Sequence, residues 1–192
     1  MRNTIVIFII FVIMLLSLNL CGQTSTNWIM YNDDFTNVNL FDRARFHEVF
    51  KGEYTRYQIN YAFTVFSNHG LDPLVFMLLA YKEGMPVTNF LLGCGIHLQR
   101  PGYKYFEQQV CAAANTLRYW FDNAKANNYT VYLLDQKRYL VCFNRASFSL
   151  FKYTPVWKQF WKRKNYYVGN WVVKSIWETL YYRMVGSREL EE

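Results

Sequence analysis

The sequence predicts one mainly α-helical domain that carries a small β-hairpin. Apolar residues recur at helical spacing in five segments between residues 56 and 184. One further segment has strand-forming residues on both sides of a polar turn. The chain is 52% hydrophobic and 20% aromatic, a composition that excludes disorder, and no internal repeat or interdomain linker is visible.

The first two predicted helices cover residues 56–70 and 72–84. In the second, Asp72 is suited to cap the helix and Gly84 to end it. Every position of residues 74–81 is apolar or aromatic. This pattern predicts a helix that is buried on all sides.

A loop rich in Gly and Pro separates these helices from the second half of the domain. The pattern then predicts the longest helix, a hairpin around the turn "DQKR", a short helix that Asn144 caps, and a last helix. These elements cover residues 105–127, 130–143, 144–155 and 169–184, in that order.

Residues 1–21 are predicted to be a signal peptide, because one early Arg precedes a short apolar stretch. The stretch "LNLC" is similar to a bacterial lipoprotein processing box and makes Cys21 a candidate for lipidation. Two alternatives to lipidation stay open: simple cleavage of the signal peptide, and its retention as a membrane anchor.

Residues 22–54 show no clear hydrophobic period and are predicted to form an irregular N-terminal arm. Residues 55–185 then form the domain, and 186–192 a polar tail.

The formal charge of +7 indicates an anionic partner. Export makes nucleic acid the poorest candidate and leaves a membrane surface or an anionic wall polymer. The basic run at residues 157–167 is either a solvated loop face or a patch that faces a polyanion.

An exported protein can keep a disulfide, and Cys94 with Cys111 is the pair that we expect.

Five motifs, in order and spacing, resemble lysozyme-like bacterial domains related to lytic transglycosylases. They are "GLDPLVFMLLAYKEGMPVT", "LLGCGI", "YKYFEQQVCAAANTLR", "NRASFSLFKYTP" and "GNWVVKSIW", and they cover about residues 70–182. Gly84 stands where transglycosylases commonly have serine. The resemblance implies a lysozyme-like fold, cleavage of peptidoglycan glycan strands in the periplasm or cell envelope, no cofactor, and Glu83 as the general acid.

The residues around Glu83 agree with an acid role. A carboxyl group in the last turn of a buried helix meets the negative end of the helix dipole. Its neighbours one turn back, Leu79 and Ala80, solvate it little. Both effects keep a proton on the carboxyl near neutral pH, and the adjacent Lys82 is expected to point elsewhere.

Further candidates follow from the resemblance and from the residue types. Tyr153 of "YTP" resembles a tyrosine that orients the catalytic glutamate or the sugar. Gln109 and Thr88 are candidates to hydrogen-bond glycan hydroxyls, and Phe106 is a candidate to stack on a sugar. For each of them the alternative is an ordinary packing or capping role.

No metal site is expected, since Cys94, His97 and Cys111 fit no dependable zinc spacing. Two other functions stay open, a non-catalytic glycan-binding module and a structural envelope lipoprotein.

Overall fold

The computed structural model describes residues 29–83, 105–125, 128–161 and 166–186. These residues form seven α-helices, a short 3-10 turn and two antiparallel hairpins. The predicted mainly α fold with a small hairpin is confirmed. The helices are α1 Asn32–Thr36, α2 Arg43–Phe50, α3 Arg56–Asn68, α4 Leu74–Lys82, α5 Phe106–Asp122, α6 Arg145–Tyr153 and α7 Val173–Val185.

The prediction of an irregular arm at residues 22–54 is wrong for its described part, which contains helices α1 and α2. Asp42 caps α2, with its Oδ1 accepting from the Arg45 amide at 2.7 Å. Phe46 and Phe50, one turn apart, are both completely buried in the same core as the later helices. The arm belongs to the domain because these aromatic side chains have no other place to be buried.

Helix α4 lies in the centre of the core, as its composition predicts. It packs against α3 on one side and against α7 on the other, while α5 packs against α3 and α6. Helix α4 begins at Leu74, directly after Pro73, and Asp72 Oδ1 accepts from the Leu74 amide at 2.7 Å. The long helix α5 ends at Asp122, five residues earlier than predicted.

The predicted hairpin consists of β1, Thr130–Leu133, and β2, Arg138–Val141. In its antiparallel register Tyr132 lies opposite Tyr139, and Val131 lies opposite Leu140. A second hairpin, β3 Gln159–Trp161 and β4 Tyr166–Val168, lies in the region of the basic run, where the sequence predicts no strands. Its three-residue strands are too short to give a recognisable alternation.

Among the helices of the described residues, none is both long and apolar enough to cross a bilayer.

Candidate active site at the end of helix α4

Glu83 follows the last residue of α4 and is held by the helix. Its amide donates to the Leu79 carbonyl at 3.0 Å. The residues of α4 before Tyr81 are buried to 1% exposure or less, whereas the Glu83 side chain keeps 19% of its surface exposed. The carboxyl group therefore lies at the edge of the apolar core with limited access to water.

Lys82 does not point away from Glu83, and this prediction is wrong. The Lys82 side chain is only 1% exposed, and its Nζ lies 3.6 Å from Glu83 Oε1. Lys82 is the last residue of α4 and Glu83 is its C-cap residue. Both side chains are long and flexible, so their ammonium and carboxylate groups can converge although the residues are adjacent.

Lys82 also joins α4 to the segment that follows α6. Its Nζ donates to Thr154 Oγ1 at 2.6 Å and lies 5.4 Å from the centre of the Tyr153 ring. Asn170, which is completely buried, donates from its side-chain amide to the Thr154 carbonyl at 2.7 Å. The segments "YKE" and "YTP" thus meet, although 72 residues separate Lys82 from Thr154.

The last turn of α4 is also fixed on a second side. The Tyr81 hydroxyl donates to Glu53 and accepts from Arg183 of α7, and Arg183 pairs with Glu53. The pKa of Tyr81 is raised to about 12, mainly by burial, so its hydroxyl stays protonated. These contacts hold the backbone before Glu83 in one position.

This arrangement can move a proton at a partly enclosed carboxyl group. The apolar core lies on one side of this group, and the Lys82 ammonium lies 3.6 Å from its Oε1. A carboxyl group at this position is a candidate to donate a proton and then take it back.

The other predicted site residues do not all gather here. Gln109 is completely buried, so its predicted contact with a glycan is wrong for this structure. Phe106 is half-buried and packs edge-on against Phe76 of α4, with ring centres 6.1 Å apart. Thr88 and Cys21 lie outside the described residues.

Cys111 is a free thiol in the described part of the chain. Cys94, its predicted disulfide partner, lies outside the described residues. The Cys111 Sγ lies 3.2 Å from the Tyr61 hydroxyl, at hydrogen-bond distance. Cys142 is a buried thiol, and burial raises its pKa to about 12.

Sequence reasoning missed Thr154 and Asn170 and misplaced Lys82. The signal for Thr154 is its position inside the "YTP" motif, whereas a single buried Asn at the start of a 3-10 turn gives no signal. In the part of the chain that the structure describes, no three His, Cys, Asp or Glu side chains are placed to hold a metal ion.

Comparison of the chain with protein families, with curated proteins and with solved structures found no match.

The buried position of Lys82 leads to a stability prediction. We expect Lys82→Met to lower the free energy of unfolding by about 1–3 kcal/mol, because Thr154 loses a donor and Glu83 loses its counter-charge. Lys174→Met is the matched control, since Lys174 lies 3.8 Å from Glu178 but both side chains are more than half exposed. That control should change stability by less than about 0.5 kcal/mol. Urea denaturation of both variants makes the measurement, and equal effects would contradict a structural role for the Lys82 contacts.

Proposed function

We propose that this protein cleaves the glycan strands of peptidoglycan, with Glu83 as its catalytic acid. One observation carries the proposal: the "YKE" and "YTP" segments meet through the bond from Lys82 to Thr154. These are two of the motifs on which the resemblance to lysozyme-like wall-degrading domains rests. If both motifs contribute to one active site, they must lie together in the fold, and they do so next to the partly enclosed carboxyl group of Glu83.

In the proposed mechanism, Glu83 donates its proton to the glycosidic oxygen as the bond to the leaving sugar breaks. The Lys82 ammonium then stabilises the carboxylate that this step creates. The carboxylate next removes the proton from the C6 hydroxyl of the cleaved sugar, and that oxygen closes on C1 to give an anhydro end. Glu83 thereby regains its proton. In this mechanism Tyr153, whose ring lies beside Lys82, orients the acid or the sugar.

This route needs one carboxyl group, whereas hydrolysis by retention or inversion normally uses two. Asp72 lies at the opposite end of α4, about 16 Å along the helix axis from Glu83. Glu53 reaches the last turn of α4 through Tyr81, but Arg183 neutralises it. These two placements favour the transglycosylase route over hydrolysis.

The test is mass spectrometry of the fragments that the purified full chain releases from purified peptidoglycan. We expect soluble muropeptides with anhydro ends, while chain denatured by heat should release none. Reducing ends instead of anhydro ends would assign hydrolysis. A folded chain that releases nothing but sediments with insoluble peptidoglycan would be a glycan-binding module, and one that does neither would be a structural protein.

A further inference from the structure

The positive charge of this protein is concentrated in one part of the chain. Residues 123–177 contain ten of the 21 basic side chains but only one of the 14 acidic ones, Asp135. Their formal charge is therefore +9, whereas the rest of the chain sums to −2. This segment includes both hairpins and helix α6. A charge separation of this size indicates that this segment meets an anionic partner.

The one acidic residue of this segment accepts hydrogen bonds from the protein backbone. Asp135, in the turn of the first hairpin, accepts from the Trp157 amide at 3.0 Å and from the Lys158 amide at 2.7 Å. The Leu134 amide also donates to the Pro155 carbonyl at 2.8 Å. These bonds fix the turn of the first hairpin against residues 155–158, the segment that leads into the second hairpin.

The first hairpin has one buried face and one apolar face that is open. Val131, Leu133 and Leu140 point into the core. On the other face Tyr139 is 72% exposed, and its ring contacts the cross-strand ring of Tyr132 at 5.1 Å. We call this open face the hairpin patch; its exposed members are Tyr132, Leu134, Tyr139, Val141 and Phe143.

Basic residues adjoin the hairpin patch along the chain, and the neighbouring segment carries further basic and aromatic residues. Lys137 and Arg138 are exposed in its turn and at the start of β2. Phe160 of the second hairpin is also exposed, and the Lys158 ammonium lies 4.5 Å from the ring centre of Trp171. Five exposed apolar side chains next to two basic ones are unusual for a surface that meets only water.

We propose that the hairpin patch docks this protein onto the surface of an anionic phospholipid bilayer. Tyrosine and other aromatic rings favour the headgroup level, while Lys and Arg near the surface attract anionic lipids. A soluble or wall-bound polyanion would be attracted by the basic side chains, but it would not bury the apolar side chains of Leu134, Val141 and Phe143. The apolar component therefore favours a bilayer. The proposal does not depend on Glu83 or on the proposed activity.

The test is sedimentation of the full chain with vesicles of phosphatidylcholine, with and without a fraction of phosphatidylglycerol. We expect Tyr139→Ser/Phe143→Ser to reduce the partition coefficient tenfold or more on the anionic vesicles. Lys137→Gln and Arg138→Gln should each reduce it about fivefold, on anionic vesicles only. The matched control is Tyr119→Ser/Tyr182→Ser, which removes two aromatic side chains of α5 and α7 that are also more than half exposed, and it should change nothing.

Each alternative has its own result. If only the charge variants weaken binding, and salt abolishes it completely, the partner is a polyanion and the bilayer proposal is wrong. If every variant binds both kinds of vesicle equally, the apolar residues 5–18 carry the membrane contact and the proposal is also wrong. Thermal unfolding followed by circular dichroism verifies that each variant is folded, which is expected because the substituted side chains are exposed.

Discussion

Replacing Glu83 by glutamine is expected to abolish the release of muropeptides from purified peptidoglycan, a loss of at least about a thousandfold in rate. Glutamine has nearly the same shape and can still lie beside Lys82, but it has no proton to donate and no charge with which to take one back. General acid–base catalysis is typically worth about 10²–10⁴ in rate for one proton transfer, and this route uses Glu83 twice. Zymography and mass spectrometry of released fragments make the measurement.

The matched control is Glu178→Gln, since Glu178 also pairs with a lysine but lies on the exposed face of α7. It should release muropeptides at the parental rate. A Glu83→Gln variant that releases them as fast as the parent would remove Glu83 from the mechanism. From the sequence alone, loss of a negative charge at a helix C-terminus predicts unchanged or raised stability for this variant.

The contact with Lys82 reverses this expectation about stability. Because Lys82 is almost completely buried, removing its counter-charge leaves an ammonium with Thr154 as its neutral acceptor. We therefore expect Glu83→Gln to lose about 1 kcal/mol of unfolding free energy, less than a fully buried pair would lose, because Glu83 is partly exposed. The same denaturation experiment as for Lys82→Met checks this.

The elements that the sequence predicts well are those whose burial pattern is periodic. Helix α4 is apolar at every position before Lys82, and Asn144 caps α6 by accepting from the Ser147 amide. Helix α2 escapes prediction because Phe46 and Phe50 are its only two buried side chains. With two anchors in eight residues, the apolar stripe is too sparse to stand out from a polar background.

The candidate site is predictable only in part, for a different physical reason. Glu83 can be identified because its motif and its place at a helix end are local properties of the chain. The direction of the Lys82 side chain is set by its bond to Thr154, which comes from a distant segment. Contacts of this kind depend on tertiary packing, which periodicity does not encode.

The buried carboxyl group of Asp72 leads to the largest stability effect that we expect. Asp72 is 1% exposed, and its Oδ2 has no hydrogen-bond partner among the described residues. Burial is the main cause that raises the pKa of Asp72 to about 7, and the nearby carboxylate of Asp34 adds to it. The bond from the Leu74 amide acts in the opposite direction but is outweighed.

The sign of the pH dependence follows from this raised pKa. The unfolded chain releases the Asp72 proton near its ordinary pKa of 3.8, while the folded chain keeps it up to about pH 7. Between these values the folded state binds more protons, so stability falls as the pH rises through this window. Above pH 7 both states are ionised at this position, and the contribution levels off.

We expect Asp72→Asn to remove this dependence while keeping an oxygen that accepts from the Leu74 amide. Between about pH 5 and pH 8, the unfolding free energy of the parent should fall by about 2–3 kcal/mol more than that of the variant. Asp122→Asn serves as the control, because Asp122 is half exposed and pairs with Arg118 on the surface of α5. Urea denaturation across this pH range makes the comparison. Parallel curves for the parent and Asp72→Asn would mean that Asp72 is ionised throughout, and that its burial costs the folded state less than the geometry implies.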